Sequence, residues 1–151
     1  MTLSILFALN MLLLWCIDIF TFKPIAHEGT SGNGNLGLIF DILIIPFYIC
    51  LLVLGGVSLY RMVPTHWITT RHLVVVSIMF GAILVLTITG EVKLYQAQMM
   101  SFGGDATNPD SIIYRYGALN QYSNTVFFNG YTFVMGVCLT LWAACLFRYM
   151  K

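Results

Sequence analysis

Residues Leu36–Tyr60 read LGLIFDILIIPFYICLLVLGGVSLY. The stretch holds one charged side chain, Asp41, and one proline, Pro46. About 20 mostly apolar residues suffice to cross the hydrocarbon core of a bilayer as a helix. Proline is tolerated in such a helix when neighbouring groups satisfy the carbonyl it frees. A helix apolar on every side has no water-facing stripe, so its solvent is either a large protein core or lipid. In a chain of 151 residues with mean hydropathy +0.86 and 9% charged residues, the solvent is lipid.

Three more stretches share this character: Leu3–Phe22, Leu73–Gln96 and Val126–Phe147. The expected fold is an all-α membrane protein, one four-transmembrane-helix bundle over 1–151 with spans at about 3–22, 36–60, 73–96 and 126–147. The first span is expected to remain as a helix and not to act as a signal peptide. Met1-Thr2 carries no base, and Pro24-Ile25-Ala26 is a poor cleavage site. Proline at position 46 should kink the second span near Ile42, and Tyr48 is one side chain that could help satisfy the freed carbonyl.

With four crossings, the N-terminus, the loop Arg61–His72 and the tail Arg148–Lys151 fall on one side. That side holds Arg61, Arg71, Arg148 and Lys151, against Lys23, Lys93 and Arg115 on the other. Counting basic residues places both termini in the cytoplasm. His66, Trp67 and His72 then read with Arg61 and Arg71 as an anchor to anionic lipid. On the outer side, Ala97–Thr125 is too long for a plain turn. Asn108-Pro109-Asp110-Ser111 suits a helix start, and the aromatics that follow suit the headgroup zone. A short interfacial helix is expected there, over the bundle.

Helix association in lipid relies on close contact and polar groups. Thr132, Gly136, Thr140 and Ala144 form a small-residue seam on the fourth span, with Ser77 and Gly81 on the third and Gly55-Gly56 on the second. Such seams fit either neighbouring helices of this chain or another subunit. Cys16, Cys50, Cys138 and Cys145 lie in apolar runs without a CxxC pair and read as packing residues.

Three acids fall inside the spans: Asp18, Asp41 and Glu91. Each lies four or five residues from the outer end of its helix, ~6–8 Å at ~1.5 Å per residue. Helical spacing suggests inward stripes through Trp15 and Asp18, through Asp41, Ile45 and Tyr48, and through Leu84, Ile88, Glu91 and Tyr95. If those stripes converge, the outer leaflet holds a polar cap of Asp18, Asp41, Glu91 and Tyr48, reached from the rim by His27, Glu28, Lys93 and Arg115. The cap is either a clasp of ion pairs or a binding site for a cation, protons or a headgroup. No HxxxH or ExxH spacing is present, so neither metal nor other cofactor is expected.

There is no Walker A sequence, G-x-S-x-G, HExxH or Rossmann fingerprint. The net charge of +1 argues against nucleic acid. The leading functional expectation is an accessory or scaffold subunit of a larger membrane complex, with the bilayer and other membrane subunits or further copies of itself as partners. The alternatives are a ligand-binding or transport protein using the outer carboxylates, and a membrane redox or metal-binding enzyme.

Overall fold

The computed structural model describes residues 2–24, 34–64 and 69–151. His27, Glu28, His66 and Trp67 lie outside the described residues. The described chain is helical without strands and contains α1 (Thr2–Phe20), α2 (Gly37–Met62), α3 (Thr70–Ser101), α4 (Ile112–Tyr116), α5 (Asn124–Phe127) and α6 (Gly130–Tyr149). Four segments are long and apolar enough to cross a membrane, the last comprising α5 and α6 together. Large apolar side chains cover their outer faces, among them Leu86 at 72% exposure and Ile78 at 68%. Such a surface is at home in lipid.

The helices do not pack in chain order. α1 lies on α2, α2 on α6, and α6 on α3, so α1 and α3 close the two ends of the row without an extensive contact between them. The central position of α6 follows from its small-residue seam. A Cβ at Gly136 would overlap the Tyr48 hydroxyl of α2, and one at Gly56 would meet the Thr140 methyl at 3.0 Å. The Tyr48 hydroxyl donates to the Phe133 carbonyl at 2.8 Å. Tyr48 therefore ties α2 to α6, instead of serving the carbonyl freed by Pro46. The opposite face of α6 meets α3 through Trp142, whose indole donates to Ser77 Oγ at 3.0 Å. Thus the seam is used inside the chain at Gly136, Thr140 and Gly56, while Gly55 and Gly81 have open space beside them.

On the other side of α2, Leu13 and Ile17 of α1 pack with Ile44, and the Phe20 and Phe40 rings stack at 5.0 Å. The buried face of α1 is Asn10, Leu13 and Ile17, continued by Thr21. The expected stripe through Trp15 and Asp18 points outward, with Trp15 at 62% exposure. In α2 the buried line runs through Asp41, Ile44 and Leu51, leaving Ile45 exposed; in α3 it includes Thr87, leaving Ile88 and Tyr95 exposed. The expected stripes are met in part: Asp41, Tyr48, Leu84 and Glu91 are buried or half-buried, while Trp15, Asp18, Ile45, Ile88 and Tyr95 are exposed, because hydropathy distinguishes poorly between faces when lipid and protein are equally apolar.

Helix ends follow caps and not hydropathy. α3 extends to Ser101 and stops where Gly103 and Gly104 take φ values of 77° and 119°, with the Gly104 N–H bonded to the Met99 carbonyl at 2.9 Å. The fourth span is interrupted at Asn129, which has φ −147° and ψ 179°. Its Oδ1 accepts from Tyr131 N (2.8 Å) and Thr132 N (3.1 Å), and Thr132 Oγ1 accepts from Asn129 N at 3.1 Å. This reciprocal box starts α6 afresh after the single turn of α5. The expected interfacial helix is α4, with Ser111 Oγ accepting from Tyr114 N at 3.0 Å. At the opposite end, Arg148 Nε donates to the Val63 carbonyl at 2.8 Å and its guanidinium lies 5.2 Å from the Tyr60 ring centre.

Gly136→Ala should destabilise the α2–α6 contact by about 1–3 kcal/mol, the usual cost of overpacking. Adding Tyr48→Phe removes the overlapping oxygen and should recover part of that loss. Unfolding of the purified variants in detergent, compared with Tyr48→Phe alone, measures the coupling.

Candidate functional site

The connection between α3 and α6 is folded, and it shapes the end of the bundle that holds all three span acids. Phe102, Ile112 and Tyr122 form a small core of their own, flanked by Met99, Ile113, Tyr116 and Val126. Around it the polar groups are satisfied locally. Ser123 Oγ donates to the Ala118 carbonyl at 2.6 Å and accepts from Asn120 N at 3.0 Å. Asn120 Oδ1 accepts from Tyr122 N at 2.8 Å. The exposed turn at Asp105 accepts from Thr107 N (2.8 Å) and Thr107 Oγ1 (2.6 Å), and these bonds hold the Asp105 carboxyl below its ordinary value.

This connection delivers α5 between α1, α2 and α3. On the α3 side, Gln98 Nε2 donates to Thr125 Oγ1 at 2.7 Å. On the α1 side, Phe22 N donates to the Gln121 carbonyl at 2.9 Å, and the Phe22 and Tyr122 rings meet edge to face. On the α2 side, Asn124 is fully buried against Gly37, whose missing Cβ leaves room for the amide.

Because α1 and α3 stand apart, a cleft of about 470 Å³ opens between their ends. Asp18, Thr21 and Lys23 line it from α1 and its continuation, Gln98 and Ser101 from α3, and Asn129 from the α6 cap. Leu14, Phe22, Leu94, Phe102 and Phe128 supply apolar wall. The cleft therefore offers one carboxylate, one ammonium and several neutral hydrogen-bonding groups beside hydrocarbon.

The predicted polar-cap residues occupy separate settings. Asp18 is exposed and lines the cleft. Asp41 is enclosed at 5% exposure beneath Asn124, and its Oδ1 has no partner. Glu91 is half-buried, with Oε2 enclosed and unpartnered. Lys93 is exposed. Arg115 pairs with Asp110 at 3.1 Å, both side chains well exposed, a geometry that contributes little to stability. Tyr48 lies at the α2–α6 contact already described. Among the described residues no three His, Cys, Asp or Glu side chains converge as a metal-binding group.

The neutral amides were missed by a reading centred on charge. Asn124, Asn120, Asn35 and Gln98 form much of the polar framework, and Asn10 sits fully buried in α1 with its Nδ2 bonded to the Leu6 carbonyl at 2.8 Å and its Oδ1 unpartnered. The spacing of Asn10 from Ile17 and Thr21 could have revealed the buried face of α1. No family model, curated protein or solved structure matches the chain.

Asp18 and Asn124 should respond differently to substitution. Asp18→Asn should change stability by no more than about 0.5 kcal/mol, as for other exposed positions. Asn124→Ala should cost about 1–3 kcal/mol by stripping buried polar groups of a partner. Denaturation of both variants in the same detergent checks the ranking.

Proposed function

We propose that this multi-pass protein binds an amphiphilic ligand laterally from the bilayer, in the cleft between α1 and α3. The observation that carries the reading is the cleft itself: polar and charged groups at Asp18, Lys23, Gln98 and Asn129 meet an apolar wall of Leu14, Leu94 and Phe128. A ligand with a polar or zwitterionic head and a hydrocarbon body matches both linings. Asp18 would face a cationic or donating part of the head, and Lys23 an anionic part. Asp18 is exposed at the wall of the cleft, and a ligand-facing role accounts for its position. The count of basic residues supports placing the cleft on the outer side, with both termini cytoplasmic.

A scaffold or accessory-subunit role is the second reading. One observation favours it: α3 packs mainly on α6 and buries only Thr87, leaving apolar side chains such as Val85 and Leu86 outward. The small-residue seam no longer speaks for it, since Gly136 and Thr140 already meet α2.

Native mass spectrometry after gentle extraction tests the ligand reading. The wild-type chain should retain an amphiphile, and Ala97→Trp, which fills the cleft from α3, should lose most of it while remaining folded. Asp18→Asn should weaken retention by about tenfold, the equivalent of one charge-assisted hydrogen bond. Equal retention in all three proteins would overturn the proposal, and copurification of a stoichiometric protein partner through α3 would favour the second reading.

A further inference from the structure

The groups along the α1 wall of the cleft come in a definite order. Leu14 and Asp18 are one turn apart on α1, and Thr21 follows just past its end, so the three form one strip running from the bilayer interior toward the helix end. α1 ends at Phe20, which sets Asp18 inside the helix and Lys23 beyond it. A lysine at such a boundary directs its ammonium toward water, because its long stem lets the charge follow the solvent. From the interior outward, the wall is therefore hydrocarbon, carboxylate, ammonium. α3 repeats the step from apolar to polar, with Leu94 deeper than Ser101.

Hydrogen counting shows which of these groups are free to meet a ligand. A hydroxyl has one hydrogen to give. Thr21 gives its own to the Ile17 carbonyl at 2.6 Å, and Ser101 gives its own to the Gln98 carbonyl at 2.8 Å. Asn129 Oδ1 accepts from two backbone N–H groups of α6, and its Nδ2 donates to the Thr125 carbonyl at 3.0 Å. Gln98 Nε2 donates to Thr125 Oγ1. These neutral groups hold the wall together. Asp18 and Lys23 are different: both are exposed, they form no ion pair with each other, and neither has a partner among the described residues.

A head held by both charges must present its own groups in the matching order. With the hydrocarbon chain against Leu14 and Leu94, the group next to the chain meets Asp18 and the outer group meets Lys23. The inner group must then be a cation and the outer one an anion. An ethanolamine phospholipid has the opposite order, with phosphate next to the hydrocarbon-bearing part and the amine outermost. It would set phosphate against Asp18 and ammonium against Lys23, two like-charge contacts. Resting on the reading of the cleft as an amphiphile site, we infer that its ligand carries an amine between the hydrocarbon chain and an anionic group, as a phosphorylated long-chain amino alcohol does. Asp18 takes the ammonium and Lys23 the phosphate. The cleft thus selects the sequence of charges in the head and not its net charge, which is the same in both orders.

Competition binding to the full chain in detergent, read by native mass spectrometry, tests this. The probes are a phosphorylated long-chain amino alcohol and an alkyl phosphoethanolamine of matched chain length. Each has one chain, one amine and one phosphate, in opposite order. At equal concentrations the wild-type chain should retain the first about tenfold over the second, the equivalent of one charge-assisted hydrogen bond. Asp18→Asn should remove most of that preference. The exchange of Asp18→Lys with Lys23→Asp, which keeps the net charge, should reverse it. A preference that survives the exchange unchanged reflects chain or head size and overturns the inference. So does equal retention of the two probes, or a preference for the alkyl phosphoethanolamine, in the wild type. Where such retention is lost in Ala97→Trp, the cleft still binds amphiphiles and only the order of charges is wrong. Retention of neither probe, or retention that Ala97→Trp leaves unchanged, removes the amphiphile reading as well. The wild-type competition decides the order even if the exchanged variant fails to fold.

Discussion

The architecture depends on how closely α6 can approach α2. At Gly136 there is no side chain, and the Tyr48 hydroxyl occupies the vacated space to reach the Phe133 carbonyl at 2.8 Å. In lipid the hydrophobic effect does not draw helices together, so dispersion at close range and such hydrogen bonds must. With α2 held on one flank of α6, Trp142 and Cys138 remain to engage α3 on the other; Trp142 bonds Ser77, and Cys138 lies 3.7 Å from the Phe80 carbonyl. The row α1–α2–α6–α3 then follows. Its open side, between α1 and α3, is a consequence of α6 standing in the middle.

An open side creates a problem at the end where the α3–α6 connection emerges, and the connection resolves it. A chain crossing there carries backbone groups that need partners. It satisfies them with Ser111, Asn120 and Ser123, buries Phe102, Ile112 and Tyr122 as a local core, and inserts α5 between three helices. Gln98 and Asn124 then hold α5 from opposite sides. The cleft is the space this wedge leaves unfilled, which explains why its wall mixes the polar termini of helices with the aromatics of the connection.

The sequence revealed the spans through hydropathy, because the requirement for about 20 apolar residues is a property of the bilayer and not of the fold. It also revealed α4, since Ser111 is a local cap whose partner is three residues away. The order of the helices was not legible. The seam at Gly136 and Thr140 announced a close contact without saying with which helix, and Tyr48, the residue that completes it, lies 85 positions from its acceptor. The facing of the helices was only partly legible from charge: Asp18 looks outward into the cleft and Lys93 is exposed, whereas Asp41 is enclosed and the other inward polar positions are amides and hydroxyls. Asn10 and Asn124 carry no formal charge, so a reading of the spans by their charged residues passes over them.

The contrast between Asp18 and Asp41 shows why burial, rather than depth along the helix, assigns the roles. Both lie about one turn inside their span ends, so insertion cost alone would treat them alike. Asp18 is exposed beside Lys23 in a cleft wide enough for a ligand head. Its charge can be solvated there or met by whatever enters. Asp41 is sealed beneath the Asn35–Asn124 amide pair, and its Oδ1 has no partner. The bundle thus separates two settings that the sequence places at one level: a carboxylate open to the cleft at Asp18 and an enclosed carboxyl at Asp41.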